Sequence, residues 1–260
     1  MPTFASHPHG NPSWVDLMAH DAEAAAVWYS KLFGWNAEKQ ETPDPTRPYW
    51  MFTLNGETVA GMGQMSDEMK ANGVPPMWNS YFTVDDLDAA VEKVSSLGGN
   101  ITMPPMDVGE AGRMAFVTDA EGASVALWQA GLHCGATIAN EPNTWCWNEL
   151  DTHDPAKAQA FYEGFFGWEF KPGDNDASLM IYNKGNEIAH SLKIDPSWGE
   201  GIPAHWTVYF AVADIAKGCK AVEELGGTIM VPVMEIPVGK FSLVMDNQGT
   251  RFYLFEFAGQ

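Results

Sequence analysis

The C-terminal half of the chain carries a carboxylate at Glu149, an imidazole at His205, phenols at Tyr209 and Tyr253, and a guanidinium at Arg251. A carboxylate withdrawn from water has a raised pKa and can act as a base near neutrality, while a nearby imidazole can return the proton. A phenol can hydrogen-bond a carbonyl and steady a developing oxyanion. These residues recur at every second position. Trp147, Glu149 and Asp151 form one such set, His205, Thr207 and Tyr209 a second, and Arg251, Tyr253 and Phe255 a third. A period of two places each set on one face of a β-strand, and a slip of one residue would invert it. Ionisable groups converging on one face are costly unless paired or used. An ion pair between Arg251 and Glu149 or Asp151 would give the same residues a purely structural role.

The strands that must carry these sets belong to a repeat. WVDLMAHDAEAAAVWYSKLFGW from Trp14 is answered by WNELDTHDPAKAQAFYEGFFGW from Trp147. YFTVDDLDAAVEKVSSLGG from Tyr81 is answered by YFAVADIAKGCKAVEELGG from Tyr209, and GRMAFVTDAEGASVALWQ from Gly112 by GKFSLVMDNQGTRFYLFE from Gly239. Three blocks in one order imply two homologous domains, at residues 9–131 and 141–259, with residues 132–140 as a linker. Within each block a strand leads to an Asp, which suits a helix start, then to an amphipathic helix stopped by Gly. Short strands follow, with Asn55-Gly56 as a hairpin signal. The unit is β-α-β-β-β, and the chain holds four, an α+β architecture. In the N-terminal domain, alternation gives the matching faces as Trp14, Asp16 and Met18; Asn79, Tyr81 and Thr83; and Ser124, Ala126 and Trp128. Trp14, Asp16, Tyr81 and Trp128 make a candidate stacking surface with one acid.

Two such units per domain, with FYxxLFGW after the first strand, resemble the vicinal oxygen chelate superfamily, and more narrowly its tandem two-domain glyoxalase-like members. The resemblance implies that each domain folds its two units into a cup with the ligand inside. It places metal ligands in metal-using relatives seven residues before the helix-opening Asp, at the start of the fifth strand, and four residues after the Gly of the last hairpin. Here those positions hold Trp14, Asn79 and Ala126 in the first domain, and Trp147, Thr207 and Tyr253 in the second. None is a usual metal ligand, so neither metal nor any other cofactor is expected. His20-Asp21 and His153-Asp154 read as surface imidazoles beside helix caps, and His7-Pro8-His9 as part of a mobile tail.

Acids outnumber bases 34 to 14 over 260 residues, a formal charge of -20. That field repels phosphate backbones and anionic lipids, so neither nucleic acid nor a membrane surface is an expected partner. Three cysteines without a CxxC spacing favour a reducing cytoplasm over a disulfide framework. Two tandem domains can shield one another, which suggests a monomer, with a homodimer as the alternative. Two functions fit these residues. One is metal-independent acid–base catalysis on a small organic molecule, of lyase, isomerase or hydrolase type. It would use Glu149, His205, Tyr209 and Tyr253, with Trp147, Asp151, Arg251 and Phe255 as ligand contacts. The other is a binder of an aromatic, possibly cationic, small molecule, resembling bleomycin-resistance proteins.

Overall fold

The computed structural model describes residues 3–42 and 47–259. The first domain contains β1 (Pro12–Ala19), α1 (Ala22–Phe33), β2 (Asn36–Gln40), β3 (Tyr49–Leu54), β4 (Glu57–Gln64), a short α2 (Asp67–Ala71), β5 (Met77–Thr83), α3 (Leu87–Val94), β6 (Asn100–Val108), β7 (Gly112–Thr118) and β8 (Ser124–Ala130). The second contains β9 (Trp145–Thr152), α4 (Pro155–Phe166), β10 (Glu169–Pro172), β11 (Ser178–Asn183), β12 (Asn186–Lys193), β13 (His205–Ala211), α5 (Ile215–Glu224), β14 (Thr228–Ile236), β15 (Gly239–Met245) and β16 (Arg251–Phe257). Each domain is one eight-stranded sheet. The orders are β2-β3-β4-β1-β5-β8-β7-β6 and β10-β11-β12-β9-β13-β16-β15-β14, the same topology twice.

Local chemistry sets the element ends. Asp21 and Asp154 accept from the amides of Ala24 and Lys157 and so cap α1 and α4. Gly34 and Gly167 end those helices at φ 72, a left-handed conformation that a Cβ disfavours. Between β3 and β4, Asn55 and Gly56 both take positive φ, the hairpin turn that the Asn-Gly pair demands.

The helices decide how the domains meet. Val15 and Leu17 point to the helix side of the first sheet and are fully buried. The core there is shared: α1 packs on the second half of the other domain, with Phe33 5.1 Å from Phe210 and Tyr29 5.8 Å from Phe252 between ring centroids. The reciprocal contact sets Phe82 against Phe166 and Trp168. Polar anchors obey the same pseudo-two-fold. Tyr29 donates to Asp246 and receives from Trp78, while Tyr162 donates to Asp119 and receives from Trp206. Trp35 donates to the Asn143 carbonyl just before β9, and Trp168 to the Gly10 carbonyl just before β1. The WYSKLFGW stretch from Trp28 and the FYEGFFGW stretch from Phe161 thus form an interdomain lock. The helix-bearing faces cover each other and leave the opposite, cup faces of the two sheets pointing away.

One expectation for the connecting segments is corrected. The stretch from His7 to His9 does not hang free. His7 bonds to the Ala136 carbonyl and stacks on Phe4, and His9 accepts from the Asp85 amide. Residues 132–140, the linker, pack against the first domain. Ala136 donates to Ser13, Thr137 pairs with Thr58, and Ile138 is buried in the shared core.

Candidate functional site

The second cup is built on β9 and its neighbours. Antiparallel pairing sets Glu149 opposite Thr207, Asp151 opposite His205 and Trp147 opposite Tyr209, while Tyr209 lies beside Tyr253 of β16. The three alternating sets therefore do share one face. That face also receives His190, because β12 runs parallel to β9 with His190 in register with Glu149.

His190 is the group the sequence reading missed. The Trp147 indole N–H donates to its Nδ1 at 2.7 Å. With Nδ1 accepting, the ring proton sits on Nε2, which bonds to Glu149 Oε2. Tyr209 donates to the same oxygen at 2.8 Å. Burial alone would push the Glu149 carboxyl upward; the hydrogen bonds donated by His190 and Tyr209 favour its anion and hold the group below its ordinary value. The ion pair with Arg251 considered above is not formed. Arg251 is exposed, and Glu149 takes its partners from β12 and β13 instead.

Asp151, two residues along the same face, goes the other way. Burial and the adjacent Glu149 charge push its carboxyl up to about 9. It keeps its proton at neutrality. Asp151 Oδ1 and Glu149 Oε1 receive no hydrogen bond from other groups, and a proton kept on Asp151 gives the two carboxyls a bond to each other. His205 stands at the rim, with its side chain 42% exposed and Nε2 3.4 Å from Asp151 Oδ2. Its Nδ1–H donates to the Pro203 carbonyl at 2.9 Å, which leaves Nε2 as an acceptor. Partial burial lowers its pKa, and the Arg251 charge adds to that. His205 therefore favours its neutral form at pH 7. Tyr253 stacks on Tyr209 at 4.2 Å with its hydroxyl near Glu149, and Phe255 flanks Tyr209 edge-on at 6.3 Å.

The first cup repeats the frame with different occupants. Asp16 sits opposite Asn79, and Trp14 opposite Tyr81. Asn79 donates to Asp16 at 2.8 Å, Tyr81 at 2.8 Å and Tyr49 at 3.3 Å, so both carboxylate oxygens are satisfied. Gly61 occupies the place that His190 takes in the other domain, in register with Asp16. A Cβ there would lie 1.9 Å from the Tyr49 hydroxyl, so glycine makes room for that tyrosine to reach the acid. Met18 and Met77 pair where the second cup pairs Asp151 with His205. The linker fills part of the remaining space. His133 packs edge-on to Trp14 at 4.6 Å, and its carbonyl accepts from the Trp128 indole. Burial lowers the His133 imidazole to about 4, so it sits there neutral. The first cup is a closed network under a plug, whereas the second is open at its rim.

The positions that would hold a metal in metal-using relatives do not fit one. The Trp147 indole is committed to His190, the Thr207 hydroxyl faces Asp151 at 3.4 Å, and the Tyr253 ring lies flat on Tyr209. Trp14, Asn79 and Ala126 offer no better set, since Trp14 donates to Tyr49 and Asn79 to Asp16. Among the described residues, no group of three or more His, Cys, Asp or Glu side chains is arranged around a cation. Two cations that begin strands are held in surface pairs: Arg113 bonds Asp88 and Asp107, and Lys240 bonds Glu256. No helix among the described residues is long and apolar enough to cross a membrane.

Known proteins agree with this frame. Residues 11–127 match the family model of the glyoxalase/bleomycin resistance protein/dioxygenase superfamily. The chain is 41% identical over 266 residues to a glyoxylase-named protein, CFP32 of Mycobacterium tuberculosis, covering 100% of both. It is 30% identical over 261 residues to the anthracycline biosynthesis protein DauV of Streptomyces, covering 95% of this chain and 93% of that one. The fold resembles a Mn(II)-bound glyoxalase from Novosphingobium aromaticivorans, with a TM-score of 0.66 at 12% identity over 95% of this chain and 82% of that one. With its duplicated fold and a full-length relative at 41% identity, the chain belongs to the glyoxalase/bleomycin resistance/dioxygenase superfamily.

Proposed function

We propose that the second cup is an enzyme site for metal-independent acid–base chemistry on a small organic molecule. The observation that carries this is the opposite protonation of Glu149 and Asp151 on one strand face. One carboxyl is held ionised and its neighbour is held protonated. Environments that drive two titratable groups apart assign a base and an acid. Glu149 takes a proton from a substrate that fills the cup. Asp151 supplies one, and His205 at the rim exchanges it with solvent through its free Nε2. Tyr253, whose hydroxyl keeps its proton throughout the neutral range because it is buried beside Glu149, steadies the developing oxyanion. Three unpaired thiols, Cys134, Cys146 and Cys219, suit a reducing cytoplasm.

The test begins with a thermal-shift screen of 2-oxoaldehydes, polyketide-like phenols and cationic aromatics. A ligand at a hundred times its Kd stabilises by about 2.7 kcal/mol. Turnover of a hit is then compared with Glu149→Gln, which keeps a His190 acceptor but removes the base. Turnover should fall at least about a hundredfold with little change in melting. Full activity in Glu149→Gln rejects the site.

A second reading is a binder without chemistry. The stacked Tyr209–Tyr253 pair favours it, as does a relative named for anthracycline biosynthesis, because a polycyclic aromatic suits such a wall. Saturable binding with no product under any condition of the screen would select it.

A further inference from the structure

The second cup has a rim whose charge opposes that of the whole molecule. The chain carries -20, yet both cup acids are internally accounted for. Glu149 is engaged by His190 and Tyr209, and Asp151 keeps a proton beside Glu149 and Thr207. Neither offers a free carboxylate to a cationic ligand. The group left over is Arg251. It opens β16, two residues before Tyr253 and so on the same face, and it is exposed. Among the described residues Arg113 holds two carboxylates, whereas Arg251 pairs with none. His205, the rim neighbour that feels its charge, is neutral and has turned its N–H away to Pro203. The guanidinium therefore meets entering molecules with its donors free.

Farther along the same face from Arg251, past Tyr253, the wall becomes apolar. Met234 pairs with Phe241, and Phe241 lies edge-on to Tyr253 at 5.8 Å. Met234 and Val238 are exposed toward the far end of that wall, away from Arg251. A planar apolar body against Tyr253 and Phe241, with its negative end at Arg251, satisfies both features at once.

We propose that Arg251 anchors an anionic group of the substrate, so that the ligand class of the second cup is aromatic or unsaturated organic anions, carboxylates above all. This rests on the reading of that cup as the functional site. A guanidinium fork matches a carboxylate bidentately, which fixes orientation as well as charge. The anchored end at the rim points the rest of the molecule toward Glu149. The global charge, which favours cations at encounter, is locally reversed at this rim.

Three isosteric probes test it by calorimetric titration: 2-naphthoate, 2-naphthylmethanol and 2-naphthylmethylammonium. The naphthoate should bind at least tenfold tighter than the alcohol, and the ammonium weakest. Arg251→Gln should erase the naphthoate advantage and leave the alcohol unchanged, Arg251→Lys should keep part of it, and the surface control Lys31→Gln should change nothing. Equal binding of all three probes, no binding of naphthoate, preference for the ammonium, or an advantage that survives Arg251→Gln would each overturn the proposal. Binding is read here without turnover. Failure of the anchor is thus distinguishable from failure of the acid–base assignment, which Glu149→Gln turnover decides.

Discussion

Glu149 and Asp151 face the same side of β9 two residues apart, and the fold gives them opposite charge states. Glu149 reaches His190 and Tyr209, which stabilise its anion, whereas Asp151 meets the Glu149 charge and a neutral His205. Two buried anions side by side would be costly, so a single charge is kept on the member with the stronger hydrogen-bond donors. The same frame in the first domain holds one acid with a complete set of donors and a methionine pair where the second acid would be.

The protonation pattern predicts the pH profile of turnover. Glu149 must be ionised, and its pKa is held below the ordinary glutamate value, so the acid limb lies well into the acidic range. Asp151 must be protonated, so activity declines as pH rises through about 9. His190→Leu removes the bond that favours the Glu149 anion. Burial then dominates, and the acid limb should move up by at least one pH unit. An unmoved limb in that variant would remove His190 from the account.

Asp151 also makes a stability prediction of definite sign. Its folded pKa of about 9 exceeds its unfolded value of 3.8, so the folded state binds the extra proton between those limits. Its contribution to stability is complete below pH 3.8 and is lost as pH rises through about 9. Asp151→Asn imitates the protonated acid without this loss. The variant should melt higher than wild type at pH 8, with a gap that narrows toward pH 4, while turnover collapses. A lower melting temperature at pH 8 would contradict the neutral state of Asp151.

The interdomain lock should be measurable. Tyr29→Phe strips the hydroxyl that links the Trp78 indole to Asp246, and Tyr162→Phe strips its counterpart between Trp206 and Asp119. Each leaves buried polar groups without a partner and should cost about 1–3 kcal/mol in denaturant unfolding. Changes under about 0.5 kcal/mol would show that the apolar contacts alone join the domains.

Because the two helix-bearing faces already cover one another, we propose the single chain as the functional unit. Light scattering should return the mass of one chain. A stable mass of two would redirect attention to the exposed apolar edge strands β6 and β14, where Met106 and Met234 are among the open side chains.

What the sequence determined by itself was periodic and local. The three repeated blocks established two matching domains. Alternation placed Trp147, Glu149 and Asp151 on one face, and Asp-to-Gly spans marked the helices, because side-chain direction and capping depend on near neighbours. The tertiary structure alone decided the partners. His190 lies on a strand that follows α4 and two further strands, and only the parallel register of β12 on β9 brings it to Glu149 in place of Arg251. The neutrality of Asp151 and His205, and the lodging of His133 against Trp14, likewise depend on burial and on groups remote in the chain. Alternation tells which way a side chain points, but its charge and its partner are set by whatever other strands bring within reach.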